Sequence, residues 1–127
     1  INEKAIEFAK NNSKNAGRIT FLVSDLFENP FFENKVFDII IFNPPYLPPD
    51  PNDDLISTTD NGVIIRFLRQ AKNYLTNDGV ILLILSSLSL RRNFDYIFRN
   101  YDYRILEKLN LPGFEQLYLY ELRNKKG

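Results

Sequence analysis

The sequence predicts an α/β fold in which a mostly parallel sheet is closed by an antiparallel hairpin at its C-terminal end. Two apolar runs, Phe37–Phe42 and Val80–Leu85, have the length and composition of central strands covered on both faces. Helical patterns alternate with these runs, which is typical of a parallel sheet. The segments Tyr103–Leu109 and Gln116–Leu122 flank a Leu-Pro-Gly turn, and this arrangement predicts the hairpin.

Before the first apolar run, the sequence predicts one helix and one short strand. The segment Asn2–Asn15 repeats apolar side chains at helical spacing, and Asn2 is a suitable cap. The segment Arg18–Val23 is predicted to be a strand that ends at Ser24 and Asp25.

After the first run, the sequence predicts a loop, two further helices and a turn. Residues 47–60 are rich in proline and aspartate, and their number suits a functional surface loop. Helices are expected over Asn61–Leu75 and Ser86–Asn100. A turn is expected at residues 77–79, where the sequence is Asn-Asp-Gly.

Composition narrows the chemistry that the chain can perform. The 127 residues include 16 basic and 16 acidic side chains, no cysteine and no histidine. The balanced charge gives no general attraction for nucleic acid or for an acidic membrane. Disulfides, thiolate metal sites and the usual general base are excluded, so no metal site is predicted. No apolar segment is long enough for a membrane helix and no signal peptide is visible, so a cytoplasmic protein is expected.

The most informative residues directly follow the first apolar run. Asn43, Pro44, Pro45 and Tyr46 end it abruptly, because proline has no N–H to continue a ladder of strand hydrogen bonds. An amide, two carbonyl groups and an aromatic ring are thereby left at the carboxyl end of a predicted strand. In open α/β sheets this is where ligands bind.

This motif resembles that of the class I S-adenosylmethionine-dependent methyltransferases that modify planar amino groups, which carry Asn/Asp/Ser-Pro-Pro-Tyr/Phe after their fourth strand. The resemblance implies a Rossmann-like sheet, S-adenosylmethionine as cofactor, and Asn43, Pro44, Pro45 and Tyr46 as catalytic residues. The asparagine oxygen and the next carbonyl would accept the two N–H bonds of the substrate nitrogen, and the tyrosine would stack on the flat substrate. Cofactor binding is implied for the residues Asp25, Leu26 and Asn43.

The longer sequence FDIIIFNPPYLPPD is similar to the HemK-like branch, which methylates a glutamine of translation release factors. The compact C-terminal end resembles the archaeal and eukaryotic members. That resemblance implies a release factor as substrate and a small zinc-binding activator protein that adds a strand at the Ile19–Val23 edge. The alternatives are an N6-adenine or N2-guanine methyltransferase acting on nucleic acid, and a non-catalytic scaffold or proline-motif interaction module. The proline-motif interpretation rests on the spacing of Pro45 and Pro48.

Two parts of the family pattern have no counterpart among these 127 residues. One is the glycine-rich loop after the first strand, and the other is the acidic residue that holds the cofactor ribose. We therefore expect residues 1–127 to be the C-terminal part of a single methyltransferase domain that lacks its first two strands. Such a part should bind S-adenosylmethionine weakly or not at all and be inactive by itself.

Overall fold

The computed structural model describes residues 3–11, 18–48 and 60–126. They fall into two compact units, Ile1–Lys35 and Val36–Gly127. In the first unit, helix α1 spans Glu3–Asn11, and a short 3-10 turn spans Pro30–Phe32. Helix α1 confirms the described part of the predicted helix, whose residues 12–17 lie outside the described residues.

The strand predicted over Arg18–Val23 is wrong. Residues 19–24 adopt irregular structure, and the exposed fractions of Ile19 and Val23 are 45% and 36%. A strand needs a neighbour to pair its backbone N–H and C=O groups, and the described residues of this unit contain no second strand. The Ile19–Val23 edge that a partner was expected to extend is therefore not a preformed strand.

The second unit is a four-stranded mixed sheet with two helices. Its elements are β1 (Phe37–Phe42), α2 (Val63–Ala71), β2 (Leu75–Ser86), α3 (Arg91–Asn100), β3 (Tyr101–Asn110) and β4 (Gln116–Asn124). The strand order is β1-β2-β4-β3, in which β1 and β2 are parallel and the other neighbours are antiparallel. The predicted α/β class and the closing hairpin are confirmed. Among the described strands, β1 and β2 form the parallel part of the sheet. The prediction that Phe37–Phe42 is a central strand covered on both faces is wrong for the described sheet, because β1 lies at its edge and Ile39 and Ile41 are 57% and 73% exposed.

Both helices pack on the same face of this sheet. Phe67 of α2 stacks on Phe42 with ring centroids 4.1 Å apart, and Phe94 of α3 lies 6.3 Å from the ring of Tyr120. Phe42 and Tyr120 both pair with Leu83 in the sheet, so their side chains project from one face. The fully buried apolar residues of this core are Ile64, Leu68, Ala71, Ile81, Leu83, Leu85, Ile97 and Leu122.

The start of β2 differs from the prediction. Helix α2 ends at Ala71, and the expected turn at residues 77–79 is wrong, because these residues belong to a long β2. Phe37 pairs with Leu75, whereas Ile39 pairs with Val80, so β2 bulges between these pairs. A Cβ atom on Gly79 would lie 2.9 Å from the carbonyl oxygen of Phe37, and therefore only glycine fits this close approach.

The third predicted helix begins later than expected. Ser86 is the last residue of β2, and helix α3 starts at Arg91. The apolar run ends at Leu85, so it did not predict that the strand continues to the buried Ser86. The hydroxyl of Ser86 is satisfied by Glu115 and by the N–H of Leu88, and these hydrogen bonds form only in the folded protein.

Candidate functional site

The four predicted catalytic residues lie together at the carboxyl end of β1. The strand ends at Phe42, and residues 43–46 follow without regular structure. Pro44 is buried, Pro45 and Tyr46 are half-buried, and Asn43 is exposed. The chain therefore leaves the sheet where the prolines remove the backbone donors, as the sequence predicted. The chemical roles of these residues stay predictions.

The side chains of Asn43 and Tyr46 carry the polar and aromatic groups of this segment. Neither makes a hydrogen bond or a ring contact with the part of the chain that the structure describes. An exposed amide offers one acceptor oxygen and two N–H donors, and a half-buried phenol ring offers an apolar face. Together they can bind a small planar polar group.

The entry to this segment is fixed by aromatic packing. Phe42 directly precedes Asn43, and its ring lies 4.1 Å from that of Phe67 at an interplanar angle of 38°. Phe67 is buried, with 3% of its surface exposed. Helix α2 thus holds the last residue of β1, from which Asn43 extends.

The exit from the segment is fixed by hydrogen bonds. The carbonyl oxygen of Leu47 accepts a 2.8 Å bond from the backbone N–H of Asp60. Asp60 is fully buried, and its Oδ1 accepts a 2.8 Å bond from the N–H of Gly62, the N-cap of α2. Residues 49–59 lie outside the described residues. The described ends of the 47–60 loop are therefore joined directly to each other.

A buried polar pair extends this anchor to helix α3. Oδ2 of Asp60 accepts a 2.8 Å hydrogen bond from Nδ2 of Asn93, and both residues are 0% exposed. Sequence reasoning missed this pair. The sequence Asp-Asn-Gly before a helix is a recognisable turn signal for Asp60, but no local pattern relates it to a residue 33 positions away.

The neighbouring end of β2 is also polar and buried. The hydroxyl of Ser86 donates a 2.7 Å hydrogen bond to Oε1 of Glu115 and accepts one of 3.0 Å from the N–H of Leu88. The N–H of Ser86 donates to Oγ of Ser89 at 3.2 Å. Since β1 and β2 are parallel, their carboxyl ends share one edge of the sheet. These bonds fix the course of the chain after β2 at that edge.

Two predicted cofactor residues, Asp25 and Leu26, belong to the first unit, whereas Asn43 belongs to the second. The hydroxyl of Ser24 donates a 2.8 Å bond to the carbonyl of Leu26 and accepts a 3.0 Å bond from the N–H of Asn29. Leu26 has a φ of 54°, an unfavourable conformation for a leucine. A residue in such a conformation is kept there by its surroundings, so this bend is tightly specified.

The clear pKa shifts among the described residues belong to two tyrosines of the core. Burial raises the pKa of Tyr120 to about 12, and the neighbouring Tyr118 and Tyr103 act in the same direction. Burial also raises the pKa of Tyr101, whose hydroxyl donates to the carbonyl of Leu68. Both groups serve the packing of the helices on the hairpin.

Metal binding and membrane spanning have no support in residues 3–11, 18–48 and 60–126. No three acidic side chains there come together in a way that could hold a metal ion. No helix in these ranges has the length and apolar character needed to cross a bilayer.

Similar proteins are found among both sequences and structures. A protein of Methanocaldococcus jannaschii named as a protein N5-glutamine methyltransferase is 39% identical over 99 residues, which cover 70% of this chain and 49% of the relative. The release factor glutamine methyltransferase of Thermodesulfovibrio yellowstonii is 33% identical over 97 residues, which cover 64% of this chain and 34% of the relative. The chain thus spans about half, or less, of the length of these curated relatives.

The structure of the E. cuniculi Mtq2–Trm112 complex is similar in fold, with a TM-score of 0.56 and 26% sequence identity. The similarity covers 87% of this chain and 65% of that chain, and the complex is described as responsible for methylation of the eRF1 translation termination factor. Residues 1–107 match the family model of the methyltransferase small domain, which is most of the chain. The chain therefore belongs to the methyltransferase small-domain family.

Proposed function

We propose that this chain carries the substrate pocket of an S-adenosylmethionine-dependent methyltransferase that modifies the glutamine side chain of a translation release factor. The main observation in its favour is the segment Asn43–Tyr46 at the carboxyl end of β1. It combines a buried proline with an asparagine amide that has no hydrogen bond to the described residues. Both curated relatives are named as glutamine methyltransferases, which agrees with this substrate. A cytoplasmic location fits it too, because release factors act in translation.

The proposed chemistry follows from the residue types. The amide nitrogen of glutamine is a poor nucleophile, because its lone pair is delocalised into the carbonyl group. The side-chain oxygen of Asn43 and the backbone carbonyl of Pro44 offer two acceptors for its two N–H bonds. Two such bonds would hold the nitrogen for methylation and favour a pyramidal geometry, and one of its two N–H protons would then be lost to water. The ring of Pro44 fixes its φ and the following Pro45 restricts its ψ, so the direction of the Pro44 carbonyl is limited before the substrate binds.

Tyr46 would hold the planar amide from one side. Its ring is half-buried and makes no ring contact with the residues that the structure describes. A flat amide group stacks well on an aromatic face. The three groups together suit a planar nitrogen better than a hydroxyl or thiol acceptor.

The adenine end of the cofactor is proposed to contact the first unit. The carboxylate of Asp25 is a suitable acceptor for the adenine amino group, and the bend at Ser24 holds the following Leu26 in place. With Asn43, these residues are our proposed cofactor contacts. S-adenosylmethionine supplies a methyl group on a positively charged sulfur, so the protein has mainly to orient the acceptor. The absence of histidine from the sequence is compatible with such a reaction.

A small partner protein is also proposed, because the structural neighbour is a complex of Mtq2 with Trm112. Zinc binding by such a partner is part of the proposal. Ile19 and Val23 supply exposed apolar surface on the first unit, although no strand is preformed there. Glutamate at both positions should abolish co-purification with a small protein. Unchanged co-purification of that variant would place the partner elsewhere.

The deciding experiment supplies the full-length protein with methyl-labelled S-adenosylmethionine and cell extract, and then digests the product with protease or with nuclease. We expect only protease to release the label, and a synthetic release-factor peptide with its glutamine to accept it. A peptide with glutamate in place of that glutamine should remain unlabelled. Release of the label by nuclease alone would instead support adenine or guanine methylation.

Asn43→Ala tests the catalytic residue directly. We expect the turnover rate to fall by about a hundredfold or more, since the substrate nitrogen loses one of two orienting bonds. The matched control is Asn77→Ala, because Asn77 is also exposed but lies near the opposite end of β2. Equal activity of the two variants would contradict the role of Asn43.

A further inference from the structure

The least expected feature of the second unit is a carboxylate and an amide that are both removed from water. Asp60 and Asn93 have no exposed surface, and a 2.8 Å hydrogen bond joins Oδ2 of Asp60 to Nδ2 of Asn93. A buried carboxylate is costly unless its oxygens are paired, and both oxygens of Asp60 have partners. The pair therefore needs a reason beyond filling space, since apolar residues would fill the same space without this cost.

The contacts of Asp60 connect three parts of the unit. Its backbone N–H donates to the carbonyl of Leu47, its Oδ1 accepts from Gly62 at the start of α2, and its Oδ2 accepts from Asn93 on α3. Leu47 directly follows Tyr46 in the sequence. Any displacement of Asp60 is thus transmitted to the chain next to Tyr46.

The segment between Phe42 and Leu47 has a defined contact at each end. Phe42 is fixed by the ring of Phe67, and Leu47 is fixed by Asp60. The side chains of Asn43 and Tyr46 make no hydrogen bond or ring contact with the described residues. The two anchors therefore constrain the orientation of the proposed pocket, together with the burial of Pro44.

We propose that Asp60 and Asn93 are positioning residues, which set the place of the Pro44 carbonyl and the Tyr46 ring through the Leu47–Asp60 hydrogen bond. This inference rests on the proposed methyl transfer, because it concerns the geometry of that acceptor pocket. Neither residue needs to touch the substrate. A displacement of about 1 Å at a reacting group can lower a rate by about a hundredfold, so such an anchor has a measurable effect.

The donor and the acceptor of the Asp60–Asn93 hydrogen bond can be exchanged by mutation. Oδ1 of Asn93 is buried without a hydrogen-bond partner among the described residues. If the aspartate and asparagine exchange positions, the new asparagine at 60 can donate to the new aspartate at 93. Its own oxygen can still accept from Gly62. The exchanged pair keeps the link between the loop and α3, whereas Asn93→Asp alone sets two carboxylates against each other.

The test uses the full-length protein with Asn93→Asp, Asp60→Asn, the double exchange and Asn93→Ala, at a temperature at which each variant is folded by circular dichroism. We expect kcat to fall by about a hundredfold in Asn93→Asp and about tenfold in Asn93→Ala. The double exchange should return kcat to within a few-fold of wild type. The KM for S-adenosylmethionine should change little, because the loss concerns the acceptor nitrogen.

The matched control is Tyr101→Phe, which removes another buried side-chain hydrogen bond, from Tyr101 to the Leu68 carbonyl, without touching Leu47 or Asp60. It should lose stability but keep kcat. Equal kcat in wild type and Asn93→Asp would overturn the proposal, and so would an equal fall in Tyr101→Phe. In both cases the proposed function would be unaffected, provided that the wild-type protein is active.

A second readout does not depend on activity. The Asp60 amide donates to Leu47, so its hydrogen exchange reports on the anchor itself. We expect faster exchange in Asn93→Asp and restored protection in the double exchange. Unchanged protection in Asn93→Asp would overturn the inference, whether or not the wild-type protein is active. Inactivity of the wild-type protein would refute the proposed function instead.

Discussion

Two polar networks of the second unit use similar side chains but differ in burial. At the carboxyl end of β1, Asp60 and Asn93 are 0% exposed and share a 2.8 Å hydrogen bond. On the hairpin, Glu121 pairs with Arg104 at 3.1 Å and with Arg123 at 3.4 Å, and these arginine side chains are 68% and 46% exposed. A broken bond in the buried network leaves a dehydrated group, whereas water replaces a broken bond on the hairpin.

The comparison indicates which part of the sheet has a tightly specified geometry. Exposed arginines exchange between protein and water partners and constrain the backbone little. A buried carboxylate accepts only a few arrangements of its partners, so it defines the chain around it more narrowly. The tightly defined part lies next to Asn43–Tyr46, where the proposed reaction needs exact distances.

The largest expected difference comes from removing one carboxylate from each region. Asp60→Ala should lower the free energy of unfolding by about 3 kcal/mol, because Asn93 and the Gly62 N–H both lose a charged acceptor inside the protein. Asp102→Ala, at an exposed position of the hairpin, should change it by less than about 0.5 kcal/mol. Urea unfolding of the full-length protein measures both. Similar values would remove the distinction between the regions.

An intermediate effect is expected from the buried side of the hairpin. Tyr120 is 3% exposed, and burial raises its pKa from 10.0 to about 12. Below pH 10 the tyrosine is protonated in both the folded and the unfolded states, so its contribution to stability is complete. As the pH rises from about 10 to about 12, the unfolded state loses the proton first and stability falls.

Tyr120→Phe should reduce that alkaline loss of stability, measured as the urea midpoint at several pH values. The buried Tyr101 contributes in the same direction, so the loss should decrease but not vanish. An unchanged pH dependence in Tyr120→Phe would mean that the phenol reaches water more readily than its packing indicates.

The smallest effect is expected for the exposed ion pairs. Arg104→Ala should lower the free energy of unfolding by about 0.2–1 kcal/mol, because the pair lies in contact with solvent. The difference from wild type should shrink in about 1 M salt, which screens exposed charges. The Asp60→Ala difference should hardly respond to salt. A salt-independent effect of Arg104→Ala would show that the hairpin network is less solvated than its exposure indicates.

Much of the candidate site was predictable because its signals are local. The apolar run before Asn43 and the prolines at 44 and 45 together predict where β1 ends, since neither needs a distant partner. The hairpin was predictable for the same reason, because its turn residues lie between its strands. The cofactor contacts of Asp25 and Leu26 rest on resemblance to the family and stay predictions.

The errors concern residues whose state depends on distant neighbours. Arg18–Val23 has the composition of a strand, but no strand pairs with it among the described residues. Residues 77–79 have a sequence typical of a turn, but Gly79 lies where β2 passes close to the Phe37 carbonyl. Composition and spacing report the preference of a segment, while pairing depends on what lies beside it.

The sequence by itself determined the class of fold, the end of β1 just before Asn43 and the chemical groups offered there. These depend on backbone donors, side-chain periodicity and residue types, all of which are readable along the chain. Only the tertiary structure decided that Asp60 meets Asn93 and that Phe42 meets Phe67. These contacts join residues far apart in the chain, and they exist because α2 and α3 pack on the same face of one sheet.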